Sequence, residues 1–355
     1  MAGPSKHEST RRRENRPAPA SSTLRYTNEL PGRKSCAKHG KAHRMSLESD
    51  AFLCGWRVQS EIPLPELLPW PAPEAAIDVN IRLGVVPPLE EPTASARLLT
   101  MDGAGLCRIE IPGIAIFSVR DGREIVVEPL VSPDSLVLRN YLFGTGLGLL
   151  CHQRGLFPLH GSCLQLGERA VVFSGSSGAG KSTLAGALAH RGYTLLADDV
   201  CVLTEMDGAW VAWPAFPRVK LNPAAHRAIF GVEPEQASLS LQGKHHLHFE
   251  PVSSFSMNPV PLDAIYFLEK TADGEPESLI DVPGLKRLAL LQSQIFRRRA
   301  GFLMGRRAAL FTSTARIAAA VPIRRLRRSF DLARMSTTIA MLERMHCAPA
   351  SALSL

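Results

Sequence analysis

At 355 residues and 45% hydrophobic composition, the chain is long enough for one large domain or two and apolar enough for a packed core. Its net charge of +8 is confined to residues 1–45, where eleven Lys/Arg stand against three Glu; the remainder sums to zero, which excludes a general nucleic-acid-binding surface. The seven cysteines are scattered without a C-x-x-C pair, and no window approaches 18 apolar residues, so neither a zinc site, a disulfide framework nor a membrane span is expected, and reduced cytoplasmic thiols are.

Residues 1–45 hold Arg11-Arg12-Arg13 and a Pro/Ala/Ser run without apolar periodicity, so a disordered basic tail is expected, with Met45 an alternative start. Residues 46–150 predict a small β-rich domain with a linking helix. Within it, 54–58, 77–83 and 107–111 alternate in the strand sense, and 114–120 and 124–128 flank an Asp121-Gly122 hairpin turn. Residues 135–151, with Leu136, Leu138, Leu142 and Leu149, predict the helix. A third region, 151–346, opens on a strand at 157–166 carrying His160, then a Gly167-Glu168-Arg169 turn into an apolar strand at 169–174.

Gly175-Ser176-Ser177-Gly178-Ala179-Gly180-Lys181-Ser182 fits the phosphate-loop pattern G-x-x-x-x-G-K-[ST] at every fixed position, after a predicted strand and before a helix stopped by Gly192. Glycines let backbone N–H groups turn toward phosphate oxygens, and the helix N-terminus at Ser182-Thr183 adds partial positive charge. Lys181 reaches the outer phosphates and the Ser182 hydroxyl can ligate Mg²⁺. The expected ligand is a nucleoside triphosphate. The next strand, 193–197, is expected to end at Asp198-Asp199, where carboxylates can hold Mg²⁺ or its waters and accept a proton from an attacking hydroxyl. His160, alone in an apolar run, reads as a core histidine or as a site residue.

Further along, Arg218 and Lys220 alternate on a strand, so both point from one face, toward a phosphate or acidic substrate or into solvent. His245, His246 and His248 lack a carboxylate partner and read as strand or loop residues rather than a metal site. Residues 262–269 predict a central strand, 285–301 and 308–321 helices, and 323–328 an edge strand. Asp331 would cap a final helix ending near His346, with a tail over 347–355. Residues 286–355 carry fourteen Lys/Arg against two acids while 46–285 carry a net −12, so the basic segment is expected to pack against the acidic remainder.

The order His160-Gly161, the 175–182 loop, Arg191-Gly192-Tyr193 and Ala197-Asp198-Asp199 resembles the catalytic domain of HPr kinase/phosphorylase, a family of bacterial serine kinases. The resemblance spans roughly 150–345 and is concentrated in 157–203. It implies an α/β fold: a P-loop kinase core, similar to phosphoenolpyruvate carboxykinase, behind the small β-rich domain. It implies ATP bound by Lys181 and the loop, Mg²⁺ held by Ser182 and Asp198, Asp199 as general base toward a substrate serine, and His160 in support. The chain departs from the family's Glu-Arg-Gly run, since Trp213-Pro214-Ala215-Phe216-Pro217-Arg218-Val219-Lys220-Leu221-Asn222-Pro223 has neither Glu nor Gly. That makes it more similar to divergent HPr-kinase-like proteins of peptide-modifying gene clusters, lasso-peptide ones included, whose target is a serine on a small peptide. The expectation is a cytoplasmic, ATP- and Mg²⁺-dependent serine kinase acting on a small protein or peptide. No nucleic-acid or membrane partner is expected, and a homo-oligomer is left open. The alternatives are a P-loop small-molecule kinase and a nucleotide-binding regulatory or scaffold module without phosphotransfer.

Overall fold

The computed structural model describes residues 49–234, 243–248, 257–272 and 275–347; the basic tail over 1–45 and the last eight residues lie outside the described residues. The protein is mixed α/β, and its described strands form sheets of nine, seven and two.

The first sheet contains β1 (Ser49–Leu53), β2 (Trp56–Ser60), β3 (Leu68–Pro69), β4 (Val79–Leu83), β5 (Ala94–Ala96), β6 (Leu99–Met101), β7 (Cys107–Ile111), β8 (Ala115–Arg120) and β9 (Glu124–Pro129), in the order β3-β1-β2-β4-β9-β8-β7-β6-β5. Alternate residues such as Ile109, Phe117, Val119, Ile125 and Val127 are buried, as the period-two pattern requires. Asp121 and Gly122, both at positive φ, turn β8 into β9 as the sequence predicts. The expected strand over 54–58 is corrected: Cys54 and Gly55, with φ of 53° and 82°, form the turn between β1 and β2, and only residues 56–58 are strand, at the start of β2.

The predicted linking helix is interrupted. Ser135 caps α1 (Leu136–Tyr141), a π-helical turn occupies Leu142–Gly146, and α2 (Leu147–Gln153) follows. Its buried leucines belong to one hydrophobic core that continues from the first sheet into the second.

The second region holds β10 (Phe157–Leu166), β11 (Arg169–Ser174), α3 (Lys181–His190), β12 (Thr194–Met206), β13 (Ala209–Trp213), β14 (Arg218–Leu221), α4 (Pro223–Phe230), β15 (His245–His248), β16 (Val260–Lys270), β17 (Ser278–Asp281), α5 (Leu285–Ser293), α6 (Arg298–Leu303), α7 (Arg307–Ala320), β18 (Ile323–Arg328) and α8 (Met335–His346). The central strand β16 pairs with β11, β13 and β18, so β11, β10, β12, β13 and β16 close into a ring. Leu184 and Leu188 of α3 pack with Phe173, Tyr266 and α8 residues Ile339 and Leu342 in a second core.

Three sequence expectations change here. The strand expected to end at Asp198-Asp199 runs through them for thirteen residues, with a register shift against β10 and Asp199 at φ 75°. The helix expected over 285–301 breaks at 294–297, because this backbone pairs with β10 instead: His160 N–H donates to Gln294 O at 2.7 Å and Phe296 N–H to Pro158 O at 2.8 Å. The 323–328 strand is interior rather than an edge, because β17 pairs beyond it. Asp331 caps a short 3-10 turn that leads into the expected last helix. The basic segment does meet acidic residues: Arg324 pairs with Asp281, Arg325 with Glu269, Arg327 with Glu275 and Arg316 with Glu205.

Candidate active site

β11 is buried along 170–174 and brings the chain to the glycine-rich segment 175–180 at a height fixed by the sheet. Gly175, at φ 136°, leaves the strand so close to β16 that a Cβ would stand 3.2 Å from Leu268 O. Gly180, at φ 82°, precedes α3; a Cβ there would fall 2.2 Å from Arg328 Nη2. Ser176, Ser177 and Gly178 form an exposed crest, Ala179 is buried, and Ser182 and Thr183 are half-buried in the first turn of α3. No side chain caps that turn, which leaves its first amides for an anion. The Lys181 ammonium folds back along the loop and donates to Gly175 O at 2.9 Å and Ser176 O at 3.0 Å. Burial lowers its pKa, while Asp198 acts in the opposite sense.

The two aspartates occupy different surroundings. Asp198 is buried; its Oδ1 accepts from Ser162 Oγ at 2.5 Å and Ser182 Oγ at 3.0 Å, and its Oδ2 from Lys220 N–H at 3.1 Å. Burial, and then the neighbouring Asp199 charge, raise its pKa. For Asp199 burial also works upward, but Lys220, ion-paired through its Nζ, outweighs it and holds the carboxyl below the ordinary range. One residue therefore ties both carboxylates, by its backbone N–H to Asp198 and by its side chain to Asp199.

His160 explains how Asp199 keeps a left-handed backbone. Its Nδ1 lies 3.0 Å from Asp199 O, and since a carbonyl only accepts, Nδ1 carries the proton. Burial and then Lys181 push the imidazole pKa down, which keeps the ring neutral. The Phe296 ring lies 5.8 Å away. Gly161, opposite Asp199, sits so tightly on β11 that a Cβ would meet Phe173 O at 2.7 Å.

Of the two basic residues expected to face a ligand, only Lys220 reaches the carboxylates. Arg218 is a correction: it is 2% exposed, paired with Glu66 at 3.1 Å and stacked over Phe143 and Phe216, so its guanidinium is engaged within the core. Glu66 also receives Arg139 at 2.7 Å, which joins the first sheet's loop, the linking helix and β14. His245 and His246 are buried on β15, and His246 Nε2 lies 3.2 Å from Asn140 Nδ2. Arg328 was missed by the sequence reading. It ends β18, is 2% exposed, and sends Nη2 to 3.4 Å from Gly180 O, setting a second cation against the loop. The only signal was its in-facing register in Ile323-Arg324-Arg325-Leu326-Arg327-Arg328.

The donor set suits a hard divalent cation. The Ser182 hydroxyl and the Asp198 carboxylate are oxygen ligands within 3.0 Å of one another, and a buried carboxylate whose pKa is raised gains from a nearby cation. Among the described residues no three His, Cys, Asp or Glu side chains group as a metal site; Mg²⁺ commonly uses one or two carboxylates, phosphate oxygens and waters. No described helix is long and apolar enough to cross a membrane.

No family model matches the chain, and no curated protein matches it. Among solved structures, the HPr(Ser) kinase/phosphatase from Coxiella burnetii is similar at 11% identity, covering 53% of this chain and 95% of its own, with a TM-score of 0.27. That likeness is too slight to argue from, and the site's own geometry has to carry the functional reading.

Proposed function

We propose that the chain is an ATP- and Mg²⁺-dependent phosphotransferase that phosphorylates a serine hydroxyl on a small protein or peptide. The observation that carries this is the pair of unlike carboxylates beside the glycine-rich loop. Asp198 is gripped by Ser162 and by Ser182 of α3, while Asp199 is held ionised next to it by Lys220. In this reading Ser182 and Asp198 would hold Mg²⁺, which when bound neutralises phosphate charge. The loop amides and Lys181 grip the phosphates of ATP, and Lys181 exchanges its two carbonyl partners for phosphate oxygens. Asp199 takes the serine proton as the Oγ–Pγ bond forms and the bond from Pγ to the ADP oxygen breaks. His160 holds the Asp199 backbone so that the carboxylate keeps its direction. Arg328 stiffens the loop from beneath.

A nucleotide-binding module without phosphotransfer is the second reading, favoured by one observation: Lys220 occupies Asp199, the group that would accept the proton. A P-loop kinase for a small molecule remains the third. Nucleotide binding is common to all three, so it is tested first. Lys181→Ala is expected to stay folded and to lose ATP affinity by about tenfold or more in calorimetry. Unchanged affinity in a folded variant would remove the loop from every one of these readings.

A further inference from the structure

A cavity of about 170 Å³ opens directly onto the Asp199–Lys220 pair. His246 of β15, paired with Lys220 across the β14–β15 ladder, adds one side, and the remaining walls come from outside the loop-and-aspartate region. Asn140, Tyr141 and Thr145 belong to α1 and the π-helical turn, and Phe296 and Arg297 to the break between α5 and α6. Both walls are local departures from regular helix, the first a π turn, the second an arginine at φ 51° and ψ 35°. A non-glycine residue in the left-handed region is strained and persists where surrounding structure enforces it. Here the enforcement is visible: Gln294 and Phe296 are tied to β10 at His160 and Pro158, and Arg297 Nη2 donates to Thr145 Oγ1 at 2.6 Å. The arginine is thereby strung across the cavity wall.

Size and charge narrow the occupant. Pockets that enclose a whole small-molecule ligand run from about 300 Å³ upward. A space of about 170 Å³ suits one or two side chains of a longer molecule whose backbone stays outside. Lys220 is neutralised by Asp199, but Arg297 has no carboxylate partner among the described residues, is exposed, and commits only one of its five N–H donors to Thr145.

We propose that this cavity is the acceptor subsite, and that Arg297 selects a peptide in which the phosphorylated serine stands next to an acidic residue. The proposal rests on the phosphotransfer reading and adds its specificity. The serine hydroxyl enters beside Asp199, its proton passes to that carboxylate as Oγ bonds to Pγ, and ADP leaves with the electron pair of the broken P–O bond. The adjacent carboxylate pairs with the Arg297 guanidinium, whose fork donates to its two oxygens.

The test uses the full-length chain with Mg²⁺ and ATP on two serine peptides that differ only in Glu or Lys beside the serine, with free L-serine and glycerate as small hydroxylated acids. The parent is expected to favour the Glu peptide by about tenfold in kcat/KM, the worth of one charge-assisted hydrogen bond. Arg297→Gln should bring the ratio close to one, and Arg297→Glu should invert it. A Glu preference that survives in both variants overturns the proposal, as does better phosphorylation of L-serine or glycerate than of either peptide. ATP affinity, measured in parallel, separates the two levels. A parent that binds ATP and phosphorylates both peptides without a Glu preference overturns the subsite alone; one that binds ATP but phosphorylates none of the four acceptors overturns the phosphotransfer reading as well, and one that binds no ATP removes nucleotide binding with it.

Discussion

At the residue scale the site is organised by Lys220, which the sequence offered only as one of two basic residues on a strand face. Its position opposite Asp199 fixes the sign of a pH effect. Lys220 holds the Asp199 carboxyl below its ordinary pKa, so the ionised form persists as pH falls. Lys220→Gln removes that stabilisation; the Asp199 pKa rises, and the acidic limb of the kcat/KM–pH profile moves to higher pH. A profile whose acidic limb does not move would detach Asp199 from the rate. His160 behaves differently from a proton carrier, because its Nδ1 proton is committed to the Asp199 carbonyl. Arg218 could not be distinguished from Lys220 in sequence. Alternation gives the face of a strand, but not that Glu66, 152 positions earlier, would bury one guanidinium and leave the ammonium to the site.

At the element scale, what was legible followed local pattern. The strand–glycine loop–helix order, the β10–β11 hairpin carrying His160 and the β8–β9 hairpin turn are all set by residues within a few positions of one another. What was not legible depended on long-range pairing. No local signal in 285–301 reveals that Gln294–Phe296 would leave the helix to pair with β10, or that a left-handed Asp199 would let β12 continue past the aspartates. α2 supplies a measurable consequence of such packing. His152 is fully buried with Nε2 2.9 Å from Phe296 O, and burial, the larger influence, pushes its pKa from 6.5 to about 4. Its folded pKa is depressed, so the unfolded chain takes up the proton first. The stability it protects is present above about pH 6.5 and lost as pH falls toward 4, on the order of 3 kcal/mol in full. Urea titrations from pH 7.5 to 4.5 are expected to show this loss, with a shallower decline in His152→Asn. Equal slopes in the two proteins would contradict the assignment.

At the scale of the whole molecule, neither half of the chain completes the candidate site. The loop and aspartates come from the second sheet, while the cavity beside Asp199 needs α1 and the π turn that follow the first. Glu66 binds Arg139 and Arg218 in the interior between these parts, and removing one member of such a group leaves buried charge uncompensated. A single core extends from the first sheet to β18. The proposed phosphotransfer thus needs both parts of the chain, and it turns on the Asp199 carboxylate. The most direct measurement is single-turnover transfer from γ-labelled ATP to a serine peptide, comparing the parent with Asp199→Asn, a nearly isosteric change that removes the proton acceptor. The account expects ATP affinity to be retained and the transfer rate to fall by roughly 10² or more. A variant that transfers as fast as the parent, or a parent that binds ATP and transfers to no hydroxyl, would contradict it.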